Sequence, residues 1–223
     1  PPSLISQSWP WFTISSPTAP VGVEKAGWNF QVDPQAHRLT ATKASLSWSF
    51  VGDARLGAEL CVVGDRVVIA SHDGWVHGLD LATGAPRWRY FAAPSHRQIV
   101  ANGMLTSAWP AMGVCDLGNG QIAAAAGTHP ELEGGIRVVS LRAADGAPVW
   151  VKQLNKPPSK IPPGGGKGTQ IVDRSVINAP PSVVDGKIVI AGGSHLGRVE
   201  IDPAESEEVI NARLAAPPVK KKF

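Results

Sequence analysis

The chain has 223 residues, 43% of them hydrophobic and 17% charged, which excludes a disordered chain and leaves room for one core or two small ones. A net charge of +3 is mild, and Lys and Arg are scattered except for Lys220-Lys221-Lys222, so no nucleic-acid partner is expected. Gly at 24 and Pro at 20 favour a turn-rich, all-β chain, and no run of about 18 apolar residues marks a transmembrane segment.

In chain order, residues 1–36 hold Trp9, Trp11 and Trp28 without a clear period, and an irregular lead of loop and short strands is expected there. No signal peptide is visible in the chain. Residues 37–50 resemble the end of a four-stranded unit, with Ala44-Ser45 at its turn. Residues 51–91 form a complete unit. Val67-Val68-Ile69-Ala70 has the β-branched composition of a buried strand, Asp73-Gly74 signals a hairpin, and Thr83-Gly84 signals a second turn before Arg87-Trp88-Arg89-Tyr90. Residues 92–112 are an insertion, and 113–152 another unit. Residues 153–180 form a Pro/Gly-rich loop, and 181–202 two strands of a further unit. Residues 203–223 form a polar tail with a short helix around Glu205–Ile210.

The units repeat. Trp48 and Trp88 lie about 40 residues apart; Leu79, Gly84 and Trp88 return as Leu141, Gly146 and Trp150. Asp65 to Ala70 returns as Asp185 to Ala191. A period near forty with four strands per unit predicts a β-propeller, because one four-stranded sheet cannot bury both faces alone. A Trp recurring once per blade suits a blade-to-blade contact. The fold class is therefore all-β: about three to four four-stranded antiparallel blades, part of a larger ring of about seven to eight, whose remaining blades would be partners of this piece.

The run His72 to Tyr90, with Asp73, Gly74, Trp75, Leu79, Gly84 and Trp88, resembles the pyrroloquinoline-quinone (PQQ) type propeller repeat. The blade ending at Gly146 and Trp150 matches it well. Arg97 to Pro110 is similar to a bacterial subfamily with a long inter-blade insertion. The resemblance covers about residues 37–202 and implies a quinoprotein-like fold. It does not imply bound quinone, since the repeat is shared with non-enzymes of the BamB type. An exported, periplasmic or extracytoplasmic bacterial setting is implied by the resemblance alone.

Candidate sites follow. Insertions project from one face of a propeller, so a ligand site is sought at His96, Arg97, Gln98, Asn102 and Trp109. The alternative is that the insertion packs over a neighbouring blade with Trp109 as its plug. His129, Glu131 and Glu133 alternate in a loop and could supply metal ligands, or form an exposed acidic loop. Gly164 to Thr169 lacks the strand, helix and spacing of a phosphate loop. Cys61 and Cys115 stand at equivalent positions and read as small buried residues. No catalytic residue is assigned. The quinone-dependent dehydrogenases carry a vicinal cysteine pair, and this chain has none. The expected function is a non-catalytic binding or scaffold module for a protein, a small ligand or a glycan, without a cofactor. The alternatives are a fragment of a PQQ-dependent oxidoreductase with Ca²⁺, and a carbohydrate-binding propeller given the Trp count.

Overall fold

The computed structural model describes residues 20–101, 104–128, 134–155, 180–191 and 198–215. Three antiparallel meanders of four strands follow one another. Blade 1 is β1 (Val21–Lys25), β2 (Trp28–Asp33), β3 (Arg38–Lys43) and β4 (Leu46–Val51). Blade 2 is β5 (Leu56–Val63), β6 (Arg66–Ser71), β7 (Trp75–Asp80) and β8 (Pro86–Phe91). A hairpin of β9 (Gln98–Ala101) and β10 (Met104–Ser107) stands apart as a two-stranded sheet. Blade 3 is β11 (Ala111–Gly118), β12 (Gln121–Ala126), β13 (Ile136–Arg142) and β14 (Pro148–Leu154). Blade 4 has three strands among the described residues: β15 (Ser182–Val184), β16 (Lys187–Ala191) and β17 (Arg198–Ile201). The helix α1 (Glu207–Ala215) follows and packs on β14. The propeller expectation holds, and the described part is a partial propeller.

Two boundaries differ from the sequence reading. The irregular lead assigned to residues 1–36 ends earlier, because β1 and β2 already belong to a complete blade 1. Its turns hid it. Ala26, His37 and Ala44 take the left-handed conformation at φ near 50° in places where Asn-Gly or Asp-Gly would have been the recognisable signal. The insertion assigned to 92–112 is also shorter, because β11 of blade 3 already begins at Ala111, which pairs with Ala126, and Met112 is the bulge that follows it. The helix expected in the tail forms.

Each seam between blades has its own apolar cluster. Phe30, Val32, Leu39 and Ile69 join blades 1 and 2. Val68, Val76, Val139 and Leu141 join blades 2 and 3. Ile136, Leu154, Ile188 and Ile210 join blade 3, blade 4 and α1. β5, β11 and β15 lie beside one another as the inner strands. The second strand of blade 2 is buried along nearly its whole length, as is that of blade 3. In blade 1 the same strand alternates, and Asn29, Gln31, Thr40 and Thr42 line its polar far face.

The repeated Trp explains the repeated Gly. Trp48 Nε1 donates to the Leu81 carbonyl at 3.0 Å, and its ring covers Gly84. Trp88 Nε1 donates to the Ala143 carbonyl at 2.9 Å, and its ring covers Gly146. A Cβ on either glycine would stand about 2.5 Å from ring carbons, and both have φ near +71°. Glycine is required twice over, by the backbone conformation and by the close approach. Asp80 finishes the turn in blade 2: it accepts from the amides of Ala82 and Thr83, from the Thr83 hydroxyl and from Arg87, and Arg87 first, then Thr83, hold its carboxyl down at about 2.

Candidate functional site: the insertion hairpin and the inner cleft

Residues 92–110 leave β8, turn back as β9–β10 and enter blade 3. The hairpin is tied at its base to the β6–β7 turn. Ser107 N and Thr106 Oγ1 both donate to the His72 carbonyl at 2.8 Å, and Ala108 N donates to the Arg97 carbonyl at 2.9 Å. Two registered residues face outward from it. Val100 is 74% exposed, Leu105 is 59% exposed, and they pair directly across the hairpin.

The predicted ligand residues separate. His96, Arg97 and Gln98 are exposed at the hairpin base. Trp109 is buried and closes over Gly134. Asn102 lies outside the described residues, as do His129, Glu131 and Glu133. Among the described residues no three His, Cys, Asp or Glu side chains converge to hold a metal ion.

His96 does find partners that the sequence did not announce. Its ring stacks on Phe91 at 4.0 Å and 15°, Phe91 meets Trp75 at 4.9 Å, and the Arg89 guanidinium lies 4.4 Å from the Trp75 ring centre. Strand pairing explains half of this column, since Trp75 stands directly opposite Phe91. From Leu81 to Cys115 the chain holds Arg87, Arg89, Arg97 and His96 and no Asp or Glu. The absence of any carboxylate over those residues was the legible signal.

Beneath the hairpin, His72 is buried, and burial together with the charges of Arg55 and His37 pushes it down to about 4. His77 is also buried, its pKa is lowered mainly by burial, and its ring lies 5.3 Å from Phe50. Both imidazoles are therefore neutral at pH 7.

A cleft of about 460 Å³ opens along the inner strands, lined among others by Lys25, Glu59, Cys61, Cys115 and Asp116. Lys25 Nζ donates to the Leu60 carbonyl at 2.6 Å. Both cysteines are free and buried, and burial pushes each thiol up to about 12. Protonated thiols of this kind are poor nucleophiles. Among the described residues no aromatic ring lines the cleft, and its carboxylates do not converge with a third metal ligand, so these residues do not fit a quinone with Ca²⁺.

A family model described as "Outer membrane protein assembly factor BamB" matches residues 6–177. No curated protein matches the chain. Among solved structures, BamB from Moraxella catarrhalis is 18% identical over 82% of this chain and 45% of its own, with a TM-score of 0.47. The quinohemoprotein alcohol dehydrogenase from Comamonas testosteroni is 12% identical over 82% of this chain and 33% of its own, at 0.52. The C-terminal WD40 domain of Sif2 is 14% identical over 81% of this chain and 44% of its own, at 0.51. The chain thus spans less than half the length of each, and the likenesses above 0.5 establish the propeller fold alone. With the family model matched over more than half of its length, the chain belongs to the BamB-type family of PQQ-like β-propellers.

Proposed function

We propose that this chain is a non-catalytic interaction module, in an extracytoplasmic setting, that docks an acidic protein segment on the β9–β10 hairpin. The observation that carries this reading is the opposed pair Val100 and Leu105, exposed on a hairpin whose base is fixed to blade 2. Exposed apolar anchors ringed by polar groups mark contact sites, and a rigid base limits the ordering cost of binding. From β8 through the hairpin the chain carries Arg87, Arg89 and Arg97 and no carboxylate. A partner with alternating apolar and acidic residues complements it, and such charges raise the association rate more than the affinity. The BamB-type family supports a protein partner over a small-molecule substrate.

The test is fluorescence-anisotropy titration of the full chain with labelled peptides of alternating Val-Glu and of alternating Val-Lys. The acidic peptide is expected to bind, to weaken as salt rises, and to lose at least tenfold in affinity against Val100→Ser/Leu105→Ser. Equal binding of both peptides, or a double variant that binds as the parent does, overturns the reading.

A further inference from the structure

A chain of buried polar contacts runs from the linker between blades 1 and 2 to the foot of the hairpin. His72 N–H donates to the Arg55 carbonyl at 2.8 Å, and Ser71 Oγ reaches the carbonyls of Ala54 and Arg55. The His72 carbonyl accepts from the Ser107 N–H and from the Thr106 hydroxyl, both at 2.8 Å. Ser107 Oγ in turn accepts from the Trp109 N–H at 3.0 Å, and the Trp109 ring lies over Gly134. Ser71, His72, Thr106, Ser107 and Trp109 are all buried. Two bonds from the hairpin thus converge on one residue, inside a network whose members position one another.

That residue carries an imidazole with no place for a charge. The groups that bear on it are Arg55, from the linker, and His37, from the β2–β3 turn, and both are basic. β10 brings Thr106 and Ser107, which carry none. The carboxylates of Asp53 and Asp73 bear on His77 instead, as does Arg89. Among the described residues a proton on His72 therefore lies buried beside a guanidinium with no carboxylate acting on it, which is costly.

We propose that His72 is an acid-sensitive latch on the docking hairpin: protonating its imidazole drives the β6–β7 turn outward, frees the foot of β9–β10 and weakens docking. This rests on the docking reading above and names what regulates that surface. Burial first, then Arg55 and His37, push the His72 pKa down to about 4, so the closed form is complete above the ordinary 6.5 and is lost as pH falls toward 4. A surface that is competent only when closed loses apparent affinity in proportion to the closed fraction.

The test follows the full chain between pH 7 and pH 5, where the glutamates of the acidic peptide stay mostly ionised. Hydrogen exchange at Ser107 and Ala108, corrected for the intrinsic rate, needs no peptide. Protection there is expected to fall about twentyfold across that window and to hold at Asn155. Anisotropy titration with the alternating Val-Glu peptide is expected to weaken several-fold in the parent and by less in His72→Gln, which keeps a polar side chain that takes no proton. Titration of the peptide, of His96 and of His77 is common to both chains and cancels in that comparison. If His72→Gln does not fold, NMR of the parent decides: the His72 imidazole is expected to titrate near 4, and a step near 6.5 with unchanged protection overturns the latch. Constant protection at Ser107, binding that does not change with pH, or an equal loss of binding in His72→Gln overturns it as well. A peptide that binds at no pH while protection still falls overturns the docking reading and supports the latch alone.

Discussion

The first two seams of this molecule are built by one device and the third by another. Trp48 and Trp88 each cross to the next blade, donate to a turn carbonyl and cover a turn glycine. At the third seam Trp150 lies under Lys152, and the ammonium reaches the carbonyls of residues 202, 203 and 205. The turn after β17 leads into α1 instead of a fourth strand. A ring docked on glycine demands exact backbone shape and tolerates no side chain. A lysine reaching several carbonyls tolerates a turn of different shape, because its stem is flexible and its three N–H groups are satisfied by any nearby oxygens. The repeat is rigid where the sequence repeats and improvised where it stops repeating.

The largest expected effect breaks the contrast directly. Gly146→Ala places a Cβ against Trp88 at positive φ and is expected to cost about 3–4 kcal/mol, the sum of left-handed strain and overpacking. Gly186→Ala has a similar φ of +74° with nothing within 4 Å and is expected to cost about 1 kcal/mol. Urea unfolding of the two variants compares them; equal losses would mean that the ring contact contributes nothing.

Acid should act on the first seam and its hairpin before the third. The His72 pKa in the folded state, about 4, lies below its ordinary value of 6.5, so the unfolded chain binds the extra proton between those values. Its contribution is complete above pH 6.5 and is lost as pH falls toward 4, by up to about 3 kcal/mol. Hydrogen exchange at Ser107, whose amide is bonded to the His72 carbonyl, is expected to quicken over that window while Asn155 does not. A His72→Gln variant with an unchanged pH profile would remove His72 from the account.

A smaller effect than at Gly146 or His72 is expected at Lys152. Lys152→Met keeps the stem and removes the ammonium, leaving the 202–205 carbonyls short of donors, at an expected cost of about 1–2 kcal/mol. The loss should be confined to blade 4 and α1, as read by local exchange protection.

Much of blades 2 and 3 was legible because each strand is bounded by Gly turns and ends on the same Trp at the same offset. Blade 1 was half hidden: its turns use Ala and His at positive φ, a choice that only the closed meander makes tolerable. The insertion was legible as an insertion, and its basic bias was visible in Arg89, Arg97 and the absence of acids. Which of its residues face water was not. Trp109 and His96 look alike as exposed candidates in sequence, yet one is buried over Gly134 and the other stacks on Phe91 in the open.

The sequence by itself determined the unit: strand period, turn glycines and a Trp per blade follow from local propensity and repetition. Only the tertiary structure decided which edges and faces stay open. Burial of Trp109, exposure of Val100 and Leu105, and the closing of β14 by Glu207 and Asn211 each depend on segments far apart in the chain. Contacts of that kind carry no local periodicity. They are set by which blade comes to lie beside which, and by where α1 is left to pack once the strands are in place.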